Sequence, residues 1–138
     1  LVPNGRTLSD DPRCQYLHAD FFALARGDGF DPEAPGRRFD AVLLDIDHTP
    51  GHVLASGHAD FYTAAGLRRF ARFLKPDAVF ALWSNEEPSH AFLDLLRSVF
   101  GYAEGRLVEF HNPLQNKTSA NGIYLAGGCA RKNGGGLP

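Results

Sequence analysis

Short apolar runs alternating with one-sided amphipathic segments predict an α/β fold for this 138-residue chain. The expected form is a mostly parallel sheet with helices on both faces and a C-terminal antiparallel hairpin. Three observations carry the prediction. AVLLDI, within residues 39–46, and AVFALW, residues 78–83, are nearly continuous apolar runs, as in strands buried on both faces of a parallel sheet. Residues 61–74 and 89–100 repeat apolar side chains at helical spacing. The last two strand candidates, residues 106–110 and 122–126, are separated by about ten residues, too few for a helical crossover, so they pair antiparallel.

In chain order, residues 1–13 are polar and rich in turn formers. Gln15 to His18 is a short strand candidate closed by Asp20, and Phe21 to Ala25 reads as a helical turn. RGDGFDPEAPGRR, residues 26–38, is a loop by its glycine and proline content. The strand ending at Ile46 leads into a Gly/Pro/His loop over 47–58. Phe61, Ala65, Leu67, Phe70, Ala71 and Leu74 then line one helix face, with Arg68, Arg69 and Arg72 between them. Lys75-Pro76-Asp77 ends that helix. After AVFALW, Ser89 is placed to N-cap a second helix through Phe92, Leu95, Leu96, Val99 and Phe100, with Gly101 at its C-terminal end. Arg106 to Phe110 is a strand, Asn112 to Ala120 a polar loop, and GIYLA, residues 122–126, the last strand. Strand–helix alternation implies right-handed crossovers. Residues 1–128 make a single partial domain, and the Gly-rich 129–138 a flexible tail.

Composition narrows the function classes. Net charge is −2 with acids and bases interspersed, so there is no basic stripe for nucleic acid. No apolar run approaches the ~20 residues of a membrane span. Cys14 and Cys129 lie far apart and read as reduced thiols of a cytoplasmic protein. The N-terminus has no signal-peptide layout. Leu rather than Met at position 1 predicts a processed, truncated or incomplete chain.

Three segments resemble the spermidine synthases, within the class I S-adenosylmethionine-dependent methyltransferase-like, Rossmann-like fold. DPRCQYLHADFF looks like the family's DPR–strand–acid segment at its third strand. FDAVLLDIDHTP resembles the YDVIIxDxxDP segment at its fourth strand. FYTAAGLRRFARFLKPDAVFAL is similar to its FY…L…LKPGG–strand segment, with ANGIYLA a weaker match to the last strand. Together they span roughly residues 10–100 (the weaker match lies beyond). The resemblance implies aminopropyl transfer from decarboxylated S-adenosylmethionine to a small-molecule amine in the intact protein, with this chain alone inactive, and a homodimer as the candidate assembly. The Gly-rich first turn and the ribose-binding acid that precede DPR in the family have no counterpart here, so the N-terminal strands of the fold are missing. The natural protein is then longer, or dimerisation or another pairing repairs the open edge.

The resemblance assigns Asp20 and Phe21 to the cofactor's adenine and Asp45 to cofactor and substrate. Asp45, Asp47 and His48 are the catalytic candidates. The family's catalytic base is the second Asp of DxxDP; that position here holds His48, one residue after Asp47, and either a carboxylate or a neutral imidazole can take a proton from an amine. Tyr62, Trp83 and Ser84 are substrate-binding candidates, against core packing for Tyr62 and Trp83 and a turn for Ser84. His48, His52 and His58 with Asp45 and Asp47 match no standard ligand spacing, so no metal is expected. Other readings stay open: a methyltransferase using S-adenosylmethionine, a non-catalytic relative of the fold, or a haloacid-dehalogenase-like phosphatase. In the last, AVLLDIDHT would supply Asp45 as nucleophile and Asp47 as acid/base.

Overall fold

The computed structural model describes residues 8–46, 56–113 and 116–128. Its elements run α1 (Phe21–Arg26), β1 (Phe39–Asp45), α2 (Ser56–Ala59), a 3-10 turn (Asp60–Tyr62), α3 (Ala64–Ala71), β2 (Leu74–Ser84), α4 (His90–Phe100), β3 (Tyr102–Asn112) and β4 (Lys117–Gly127).

Local chemistry sets the helix ends. Asp20 caps α1 by accepting from the Phe22 and Ala23 N–H groups at 2.8 and 3.1 Å. The single helix expected over 61–74 instead divides. Phe61 and Tyr62 lie in the 3-10 turn, and the Thr63 hydroxyl accepts from Gly66 N at 3.0 Å to start α3. A Cβ on Gly66 would collide with the Asp60 carbonyl, so this close turn requires glycine. The Ser89 hydroxyl accepts from Phe92 N at 3.2 Å, and Gly101 at φ 76° ends α4, both as the sequence predicts.

The four strands lie in the order β1-β2-β4-β3. β1 and β2 are parallel, while β2–β4 and β4–β3 are antiparallel. A mostly parallel sheet is therefore not what forms among the described residues: the hairpin supplies half of the strands. Gln15–His18 is not a strand and has no ladder partner there. β2 begins at Leu74, before the expected turn. Its register slips where Phe39 pairs with Leu74 and Ala41 with Val79, so Lys75-Pro76-Asp77 is absorbed as an irregularity within the strand. The loop expected over 112–120 contracts, because the hairpin ladder continues to Asn112↔Lys117.

One face of the sheet carries the core. Val42, Phe80, Ala126 and Ala103 form one cross-strand row and Leu44, Leu82, Tyr124 and Gly105 the next. Phe70 and Phe100 pack on Phe80 at 4.9 and 5.9 Å between ring centroids, and Phe92 on Tyr124 at 4.9 Å. Phe22 meets Phe61 and Tyr62 in the same layer. Among the described residues, α1, α3 and α4 therefore pack on this front face. The back face carries Ala41, Leu43, Val79, Ala81, Trp83, Leu125 and Ile123, and no described helix covers it. Leu43 is 77% and Val79 46% exposed. The expectations of helices on both faces and of a doubly buried β1 are corrected on this point: side chains alternate inward and outward along each strand, and only the inward set meets a helix.

Candidate functional site

Ligands of open α/β sheets sit beyond the carboxyl ends of parallel strands. Here those ends are Asp45 on β1 and Ser84 on β2. The parallel register sets Asp45 beside Trp83. Asp45 is exposed at the strand end, with its carboxylate among no described ion pair or hydrogen bond. Asp47, His48 and His52 lie outside the described residues.

Asp20 has two carboxylate oxygens and uses one as the cap. Both backbone bonds fall on Oδ1, leaving Oδ2 outside them. The next residue, Phe21, is half-buried and stacks on Phe30 at 5.1 Å, with its edge toward Phe61. An acceptor oxygen beside partly open aromatic surface suits a flat heterocycle with an exocyclic amino group.

The substrate-binding candidates separate. Trp83 and Ser84 are successive strand residues and point to opposite faces. Trp83 is half-buried on the back face, whereas Ser84 is 1% exposed and its hydroxyl accepts from Glu86 N at 3.2 Å. Tyr62 is 9% exposed, with Phe22, Phe61 and Phe92 against its ring, and burial pushes its phenol up to about 12. His58 stacks on Phe22 at 4.0 Å. Among the described residues, no three His, Cys, Asp or Glu side chains come together to hold a metal ion.

Sequence reasoning did not find Asn121. Its Nδ2 donates to the Ser84 carbonyl at 3.3 Å and to Asn85 Oδ1 at 3.2 Å, fastening β4 to the carboxyl end of β2. Tyr124 adds a second tie: its buried hydroxyl accepts from Ser89 N at 2.8 Å. The signal for Asn121 was slight, a polar residue just ahead of the apolar GIYLA. Two open cavities of about 410 and 490 Å³ lie instead at the amino ends of β1 and β2, sharing Arg38 and Arg72 as lining residues. We place the candidate site at the carboxyl ends, because strand direction locates ligands there and shallow surface concavity does not.

A four-stranded mixed sheet of this order, with helices packed on its front, defines an α/β protein of methyltransferase-like fold. Neither a protein-family model nor a curated protein matches the sequence. Among solved structures, human methyltransferase-like protein 13 in complex with SAH superposes with a TM-score of 0.58 at 19% identity, covering 91% of this chain and 54% of that one. The chain thus spans about half the length of the structure it matches. No described helix is long and apolar enough to cross a membrane.

Proposed function

We propose that these residues form part of an S-adenosylmethionine-dependent methyltransferase-like domain, with the adenosyl group near Asp20 and Phe21 and the acceptor near Asp45. The observation that carries this reading is the likeness to a structure in complex with SAH. S-adenosylmethionine supplies an activated methyl group. This chain's own part is to bind and orient. Asp20 Oδ2 accepts from the base, Phe21 offers ring surface, and the exposed Asp45 carboxylate holds the acceptor and takes its proton. A small-molecule amine fits an acidic strand end, since its ammonium form would be attracted there before losing the proton. Aminopropyl transfer from decarboxylated S-adenosylmethionine is the second reading, favoured by the DPR, FDAVLLDIDHTP and LKP segments. Asp47 and His48 lie two and three residues beyond Asp45 in sequence and are proposed to share its proton chemistry in either case.

Calorimetric titration with S-adenosylmethionine, SAH and decarboxylated S-adenosylmethionine tests this. Micromolar affinity for the first two, weakened about tenfold by Asp20→Asn, which keeps an acceptor oxygen for the helix cap but not a second one for the base (a loss of about 1.4 kcal/mol), is the expected result. Preference for the decarboxylated compound would favour aminopropyl transfer. No binding of any of them would sink both readings.

A further inference from the structure

β3 lies outermost in the order β1-β2-β4-β3 and bonds only to β4, so its outer edge has no ladder partner among the described residues. It runs for 11 residues, and three large apolar side chains along it, Tyr102, Leu107 and Phe110, are exposed. A long open edge of this kind is a template for another strand. Edge strands are commonly guarded by charge. β1, at the opposite end of the sheet, carries Asp40 and Asp45 and no base. Between Tyr102 and Val108, β3 instead carries one acid and one base, Glu104 and Arg106. Arg106 Nε donates to Glu104 Oε1 at 2.7 Å.

The placing of those charges matches the strand to itself. Ala103 and Gly105 stand in the front-face rows, so alternation puts Leu107 with them and Tyr102, Glu104, Arg106 and Val108 on the back. A second copy would meet the edge about a two-fold axis normal to the sheet, with the two strands antiparallel and both front faces on one side. Directly opposed residues must share a face, so one residue has to lie opposite itself. Centred on Gly105, Glu104 faces the other copy's Arg106 twice over, Tyr102 faces Val108, and Ala103 faces Leu107. One step along in either direction, on Glu104 or on Arg106, like charges oppose each other. Centred on Leu107, Glu104 faces Phe110 and Arg106 faces Val108, so neither charge is matched. The charge pattern thus selects a single register among these.

We infer that this chain pairs with a second copy of itself along β3, in the Gly105-centred register, joining two four-stranded sheets into one continuous sheet. The overlap is Tyr102–Val108, a small interface, so association is weak and concentration-dependent. β4 and β2 stand between β3 and β1, which leaves the candidate site open in the dimer. The pairing needs no nucleoside and stands apart from the proposed function.

Sedimentation equilibrium of the 138-residue chain, from about 1 to 300 µM protomer, tests this. A reversible monomer–dimer equilibrium is expected. Glu104→Arg alone and Arg106→Glu alone should each weaken it at least about tenfold, because each sets like charges across the axis twice. Mixing the two variants should restore association as a heterodimer, since one strand then presents two bases to the other's two acids. The ion pair within each strand stays broken in that mixture, so restoration reports the contact between copies. A parent chain that stays monomeric over the whole range overturns the inference, and this readout needs no variant. So does a dimer that neither substitution weakens; if Leu43→Asp abolishes it instead, the second copy sits on the back face. Variants that keep the parent's urea midpoint yet stay apart when mixed also overturn it. Amide hydrogen exchange gives a further check without substitution: exchange within Tyr102–Val108 should slow as concentration rises, and slowing confined to β1 would place the contact at the wrong edge.

Discussion

At the scale of single residues, burial sets apart side chains that look equal in sequence. Tyr62 and Asp20 both sit at positions the resemblance marks as functional. Tyr62 is enclosed by aromatic rings, whereas Asp20 keeps an oxygen outside its cap. The buried phenol has a measurable consequence. Its folded pKa of about 12 lies above the unfolded value of 10.0, so the stability it contributes is fully present below pH 10. That contribution is lost as pH rises from 10 toward 12, because the unfolded chain ionises first. Two units correspond to roughly 2–3 kcal/mol. Tyr62→Phe is expected to flatten this alkaline loss; denaturation midpoints measured at pH 9 and pH 11.5 in both proteins check it. An equal alkaline loss in the variant would place the titration elsewhere.

At the scale of elements, what was legible followed local chemistry. AVFALW, GIYLA, the Ser89 cap and the Gly101 stop were readable because period, cap and stop signals agree there. Where signals conflict, tertiary pairing prevailed. Lys75-Pro76-Asp77 reads as a turn, yet β1 holds those residues in β2 through the Phe39–Leu74 pairing and the Lys75–Asp40 ion pair. Residues 112–116 and 117–120 read alike as polar loop, but cross-strand bonds carry the ladder to Asn112↔Lys117. Gln15–His18 has strand character without a neighbour to pair with, and no strand forms. Of the candidate site, Asp45's place at a strand end was legible, because β1 forms where the apolar run predicts it, whereas Asp20 was expected to follow a strand that does not form and stands instead as the cap of α1. Asn121 was not, since its role depends on β4 lying beside β2. That contact makes a second prediction. A Cβ on Gly122 would collide with the Glu86 carbonyl and come within 2.9 Å of Pro88 Cδ. Gly122→Ala should therefore cost about 1–3 kcal/mol, read as a lower urea midpoint with an unchanged slope. A midpoint equal to the parent's would mean the turn after β2 yields freely.

At the scale of the whole molecule, the one-sided sheet links fold to function. The sequence predicts two covered faces because an apolar run cannot reveal which of its alternate residues will find a partner. Leu43 and Leu44 are identical as letters and opposite in environment: one is exposed on the back, the other buried on the front. The candidate site lies at the end of that sheet where β1 stops, next to an edge that has no ladder partner among the described residues.

The β3–β4 hairpin bears on the order in which the chain assembles. Its two long strands pair across a short turn, and α4 is joined to it by Arg97 Nε donating to the Ala103 carbonyl at 3.2 Å. These contacts close small loops. The Leu44–Leu82 pairing instead must bring together residues separated by two helices and a turn, at a larger entropic cost. The folding nucleus should therefore form in α4 and the hairpin, with β1 docking late. Leu96→Ala is expected to slow folding, and Leu44→Ala chiefly to speed unfolding, each destabilising by about 2–5 kcal/mol. Stopped-flow chevrons separate the two arms, and the reverse assignment would put the nucleus in the parallel pair. A chain built in this order brings β1 to the sheet last, so the parallel pair is the part of the core that local unfolding should release first.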